Sequence, residues 1–232
     1  MVNEIEQPPI RAVIWDLGGV LVRTEDQAPR REWEARLGLA AGELARLVFE
    51  GDAGRRAAIG QTDGDGVWRW LGEHLRVPQA DLPRLRDAFF SGDRVDEGLI
   101  DGIRALRPRR RTALITNAWP DLRRWIETEW AIADAFDEIL ISAEEGVAKP
   151  DPEIYLRALR RLEVSSPQAL MIDDMERNLV AARALGMQTL RFQSRDQCAA
   201  DLSRMLQEPF SLPAPESADE GGAGVPPSRG SR

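Results

Sequence analysis

Four short apolar runs punctuate the chain, and each stops at a polar residue. They are residues 12–15 before Asp16, 113–115 before Thr116 and Asn117, 139–141 before Ser142, and 169–172 before Asp173 and Asp174. Unbroken runs of this length, closed by turn-forming residues, suit strands of a parallel sheet buried on both faces, where no solvent side imposes alternation. Residues 189–192 are a weaker fifth candidate. Between the runs the spacing becomes helical. Asp151 is placed to cap a helix, with Pro152 at the first position, where a missing N–H costs nothing. Ile154, Tyr155, Ala158, Leu159 and Leu162 then form one apolar stripe. Val180, Ala181, Ala184 and Leu185 form another, and Gly186 supplies a left-handed stop. Strands alternating with helices predict an α/β fold, a doubly wound parallel sheet.

One long segment breaks this rhythm. Residues 23–95 read as helices at about 31–37, 41–49, 67–75 and 82–89, with no convincing strand among them. The expected organisation is a core from residues 1–22 and 96–208, with 23–95 inserted as a helical cap over the sheet's active end. Residues 209–232 are rich in Pro, Gly, Ser and Ala and poor in bulky apolar groups, so a disordered tail is expected there. Trp33, Trp68 and Trp70 fall in the insert, where core packing is their ordinary use.

Charge narrows the possible partners. A net charge of −8 disfavours nucleic acid and anionic membrane surfaces. The basic run at Arg107 and residues 109–111 reads as a solvated helix end. Cys198 is the only cysteine, which excludes an internal disulfide framework. The polar start lacks a signal-like apolar stretch, and no window approaches the roughly 18 apolar residues of a membrane span, so a cytoplasmic address is expected. His74 is the only histidine and lies in a helix-like stretch without a nucleophile motif, so it reads as a surface residue. Lys149 is the only lysine among 31 basic residues. A chain that otherwise uses arginine has kept one ammonium, directly before Pro150.

In doubly wound sheets, ligands sit beyond the carboxyl ends of the strands. Asp16, Thr116, Asn117, Asp173 and Asp174 all belong there, from three strands far apart in sequence. Taken singly, each has a bland reading as a turn residue, and a lone lysine is ordinarily a solvated charge. Four segments together carry more: IWDLGGVL at 14–21, LITNA at 114–118, GVAKPDPEIY at 146–155, and MIDDMERNLVAARALGM at 171–187. In order and spacing they resemble the haloacid dehalogenase superfamily, in its phosphatase-like branch with a helical cap. The resemblance covers roughly residues 10–22 and 96–195.

That resemblance implies a hydrolase of small phosphorylated substrates in which Asp16 is the nucleophile, forming an aspartyl-phosphate that water then cleaves. It implies that Thr116 and Asn117 hold the phosphoryl oxygens through hydroxyl and backbone N–H donors, and that Lys149 sets positive charge beside them. For Mg²⁺ it implies Asp16, the Gly18 carbonyl and Asp174 as ligands, with Asp173 direct or through water. Asn178 would brace that loop.

The sequence departs from the pattern at Gly18, where most phosphatases of the family carry a second aspartate as general acid and base. Such catalysis contributes about 10²–10⁴-fold. Slower turnover is therefore expected, biased toward leaving groups that need little protonation, such as aryl or anomeric phosphates. Glu25 and Asp26 are the nearest acids in sequence that could substitute. Two alternatives stay open: metal-independent dehalogenation of a 2-haloacid, whose enzymes also lack the second aspartate, and a catalytically silent relative that binds a phosphorylated ligand or a partner protein. Phosphonate cleavage through a Schiff base needs a cap lysine, and the insert has none.

Overall fold

The computed structural model describes residues 8–212. Its strands, in chain order, are β1 (Ala12–Trp15), β2 (Val22–Thr24), β3 (Asp93–Val95), β4 (Arg111–Thr116), β5 (Glu138–Ile141), β6 (Ala169–Asp173) and β7 (Gln188–Arg191). Five of them form a parallel sheet in the order β5-β4-β1-β6-β7. This is the doubly wound sheet expected from the apolar runs. β1 lies at its centre and all four of its residues are fully buried. Trp15 aligns with Leu114 of β4 and Ile172 of β6, so the three strands deliver their following residues to one edge at the same height.

β2 and β3 pair antiparallel as a separate ribbon. They correct the expectation that residues 23–95 hold no strand. Each is three residues long and includes charged side chains, too short for any alternation to register. The chain between them carries α1 (Ala28–Leu37), α2 (Glu43–Glu50), α3 (Asp52–Ala57), α4 (Gly64–Leu75) and α5 (Leu82–Phe90). α3 was not anticipated. Its sequence DAGRRA has no apolar stripe and buries only small residues, Ala53, Gly54 and Ala57. The insert has its own core of Trp33, Leu44, Val48, Trp68, Leu71, Leu85 and Phe89. A buried pair, Arg30 to Asp93 at 2.7 Å, ties α1 to β3, and the same guanidinium lies 4.1 Å over the Phe89 ring.

The remaining helices are α6 (Glu97–Leu106), the short α7 (Leu122–Arg124), α8 (Ser142–Glu145), α9 (Pro152–Leu162), α10 (Glu176–Ala184) and α11 (Arg195–Leu206). β1 shows how they sandwich the sheet, because successive strand side chains point to opposite faces. Val13 and Trp15 pack with Leu99, Ile103 and Leu202 of α6 and α11. Ala12 and Ile14 pack with Tyr155, Ala158 and Leu179 of α9 and α10. Asp151 caps α9, accepting from the Glu153 N–H at 2.9 Å, and Gly186 adopts φ +84° after α10. Past the end of α6, Arg107 pairs with Asp137 at 3.1 Å and Arg110 with Glu208 at 3.4 Å.

Residues 213–232 of the expected disordered tail lie outside the described residues, as do residues 1–7. Its first residues do not fit the expectation. Phe210 is buried, with its ring centroid 5.9 Å from that of Trp15. It fills a slot that exists because Gly102 of α6 has no side chain; a Cβ there would meet the ring at 2.5 Å. Among the described residues, no helix is long and apolar enough to cross a membrane.

Candidate active site

Asp16 follows the central strand and is almost wholly buried. Its Oδ1 accepts the Leu17 N–H at 2.7 Å and lies 2.7 Å from the Lys149 ammonium. The same ammonium donates to Asp173 Oδ2 at 2.7 Å, so one cation joins the ends of β1 and β6. The Lys149 side chain is 1% exposed. A flexible four-carbon stem does not hold such a position unaided, and the support comes from Asn117 after β4. The Asn117 amide donates to the Lys149 carbonyl and accepts the Lys149 N–H, both at 2.7 Å.

Asp173 is fully buried and accepts donors on both oxygens. Its Oδ1 accepts the Met175 N–H at 2.8 Å, and Asn178 Nδ2 lies 3.0 Å from both carboxylate oxygens. Tyr155 in turn donates to the Asn178 carbonyl at 3.0 Å. Asp174 is only half-buried and lies against Gly19. Gly19 has φ +80°, and a Cβ there would fall 2.4 Å from Asp174 Oδ2. This position therefore needs glycine both for its backbone and for the close approach of the carboxylate.

Asp16, Asp173 and Asp174 bring one oxygen each within 4.8 Å of one another. Burial pushes the Asp16 carboxyl up to about 7; Lys149 pulls it down, and the neighbouring Asp173 raises it again. Asp174 is also raised, first by burial and then by Asp173. Three carboxylates face one ammonium, an excess of buried negative charge that a hard cation relieves. The donor set, all oxygen, is the kind Mg²⁺ prefers.

Thr116 is buried at the end of β4 and lines a cavity of about 190 Å³ together with Gly18 and Asn117. Asn117 has a task that the sequence did not reveal: its side chain is committed to Lys149, 32 residues away. The cavity's aromatic lining was also missed. Phe49 and Phe90 come from the insert, and Trp119, Trp125 and Trp130 from the chain after β4. Trp33 and Trp68 are core residues, as expected. Glu25 and Asp26 are exposed and outside the cavity lining, and Asp26 instead accepts the Ala28 N–H at 2.8 Å, just before α1. The acids that line the cavity are Asp87, Asp93 and Asp121.

Other nucleophile chemistry has no support at these positions. His74 is exposed and stacks on Trp70 with centroids 4.8 Å apart. Cys198 is buried beneath the sheet, and burial pushes its thiol up to about 12.

A model of the haloacid dehalogenase-like hydrolase family matches residues 10–186. The chain is 28% identical over 76% of its length to a sesquiterpene phosphatase of Aspergillus oryzae, spanning 87% of that protein. It is 35% identical over 79% of its length to a phosphoserine phosphatase of Thermus thermophilus, spanning 81% of it. Other curated relatives are longer: the chain spans 20% and 42% of two that it matches over 89% and 90% of itself. Among solved structures, a Bacteroides thetaiotaomicron enzyme complexed with magnesium and inorganic phosphate superposes with a TM-score of 0.66 at 21% identity, over 80% of this chain and 96% of that one. The L-2-haloacid dehalogenase of Xanthobacter autotrophicus superposes with a TM-score of 0.58 at 20% identity, over 94% and 95%. At those identities the likeness is one of fold.

Proposed function

We propose, for a chain that belongs to the haloacid dehalogenase-like hydrolase family, that it hydrolyses small phosphomonoesters through a covalent aspartyl-phosphate on Asp16. The carrying observation is the buried Lys149 ammonium, 2.7 Å from both Asp16 and Asp173 and beside a third carboxylate. Asp16, the Gly18 carbonyl and Asp174 would hold Mg²⁺, with Asp173 contributing directly or through water. When bound, the cation offsets charge on the transferring phosphoryl group and keeps nearby carboxylates ionised.

The chain's own residues do the rest. The N–H of Leu17 and the Lys149 ammonium both hold Oδ1, fixing the plane of the Asp16 carboxylate. A carboxylate oxygen attacks phosphorus as the bond to the leaving oxygen breaks, and that oxygen departs as an alkoxide or phenoxide that takes its proton from solvent. Thr116, through its hydroxyl, Asn117, through its backbone N–H, and Lys149 receive the phosphoryl oxygens, where charge is concentrated in the transition state. Water then attacks the same phosphorus, releasing inorganic phosphate and the free Asp16 carboxylate. The helical insert acts as the cap, closing the cavity over this edge of the sheet.

The two phosphatase relatives support the reaction class, and their different names leave the substrate unassigned. A cytoplasmic setting accords with the lone, buried Cys198. The second reading, 2-haloacid dehalogenation, is favoured by Gly18 alone. Against it stands the excess of carboxylates, which would repel an anionic haloacid without a cation. Two assays separate these from a silent binding protein. We expect phosphate release from p-nitrophenyl phosphate that depends on Mg²⁺ and stops with a chelator, and beryllium fluoride captured on Asp16 in the presence of Mg²⁺. Metal-free chloride release from 2-chloropropionate would favour the dehalogenase, and phosphate binding without turnover or capture the silent relative.

A further inference from the structure

The cavity beside Thr116 has a chemical character of its own. Its walls are aromatic, and they join the insert to the core: Phe49 and Phe90 lie 6.1 and 6.5 Å, centroid to centroid, from Trp119, and Trp125 lies 5.7 Å from Trp130. Such walls recognise apolar bodies by burial and by ring contacts.

Equally informative is what the lining does not offer. Its one cation, Arg86, already pairs with Asp65 at 2.9 Å. The acids do not attract a second anion: Asp93 is tied to Arg30, and Asp87 and Asp121 are exposed. The Asn117 amide is held against the backbone of Lys149 by one donor and one acceptor bond, which fixes its orientation. A carboxylate entering this space would meet no cation that is not already paired, and acceptors for hydroxyls, Asp87 and Asp121, lie at its exposed side, so the aromatic body of the cavity favours apolar groups. Gly18 adds room, since a Cβ there would meet no atom within 4 Å.

The geometry points to a phosphomonoester of a bulky, uncharged, apolar alcohol or phenol as the ligand of this cavity, its hydrocarbon body held among Phe49, Phe90, Trp119, Trp125 and Trp130. This inference rests on the phosphatase reading for the position of the phosphoryl group. Phosphates that carry a second anionic group, diphosphates included, are the compounds that the same lining turns away.

Binding of inert phosphonates to the full chain with Mg²⁺, measured by calorimetry, tests the pocket without requiring turnover. Naphthylmethylphosphonate should bind roughly 100-fold more tightly than methylphosphonate, the discrimination expected from burying a bicyclic ring. Phosphonopropionate, which adds a carboxylate, should gain nothing over methylphosphonate. Trp125→Ala should reduce the naphthylmethyl-to-methyl affinity ratio about 10-fold, and Trp125→Phe should keep most of it. Equal affinities for the two phosphonates, or a preference for phosphonopropionate, would overturn the inference. Its failure is distinct from that of the catalytic reading. Ring selectivity without phosphate release from any ester leaves the pocket assigned and removes hydrolysis. Phosphate release without ring selectivity removes the pocket assignment alone.

Discussion

The two sides of the site are built on opposite principles. At the sheet edge, Asp16, Lys149, Asp173 and Asn178 are buried polar groups joined by short hydrogen bonds. Across the cavity, Phe49, Phe90 and Trp119 meet through ring contacts, with little polar chemistry between them. Charge networks in a low-dielectric setting tolerate almost no change, because each unpaired member is costly. Apolar walls can be repacked with smaller penalties. The sheet edge would therefore fix which bond breaks, and the aromatic side which molecule arrives.

The largest effect should come from the charged side. Asp16→Asn is nearly isosteric but removes the carboxylate proposed to attack phosphorus, and phosphate release should fall at least about 10³-fold with the fold retained. Steady-state assays beside circular dichroism check this; an unchanged rate would remove Asp16 from the chemistry.

Gly18 sits where the two sides meet, with open space around a would-be Cβ. Gly18→Asp would supply the missing acid and base, and turnover of alkyl phosphates should rise by about 10²-fold, the lower end for such catalysis. The gain should shrink for p-nitrophenyl phosphate, whose leaving group needs no proton. A uniform change across leaving groups would contradict the role given to this position.

Asn117→Ala leaves every charge in place but frees the backbone of Lys149. A fall in kcat of about 10-fold is expected, from two lost hydrogen bonds that position the ammonium. If Asn117→Asp, which keeps only the acceptor, behaved as wild type, the clamp would be irrelevant.

The smallest effect is on stability. Burial raises the folded-state Asp16 carboxyl to about 7, above its ordinary value of 3.8. Between those values the folded state binds the extra proton, so this group's contribution to stability is lost as pH rises toward 7. The metal-free chain should melt a few degrees lower at pH 8 than at pH 5. Mg²⁺ should reduce that difference, and Asp16→Asn should flatten it. Thermal melts across this range, with and without chelator, provide the check.

Much of the charged side was legible in the sequence because physical constraints concentrate there. Strands buried on both faces read as unbroken apolar runs, and their ends announce Asp16, Thr116, Asp173 and Asp174. A sole lysine in an arginine-rich chain singled out Lys149. The aromatic side was illegible for a different reason. Trp119 and Phe90 are 29 residues apart, on elements whose relative placement no local periodicity encodes. The Asn117 clamp was hidden likewise, since only the folded chain brings it to Lys149. The β2–β3 ribbon and α3 were too short for pattern to separate from loop. Phe210 was missed because one aromatic in a polar, flexible composition finds its slot only opposite Gly102.

The burial of Lys149 carries a practical consequence for handling the protein. As the only lysine, with 1% of its side chain exposed, it leaves amine-directed acylating reagents and cross-linkers no accessible side-chain amine on the folded chain. Incorporation of such a reagent at Lys149 would then register the opening of the sheet's edge, with every other strongly basic side chain an arginine that acylation leaves unmodified.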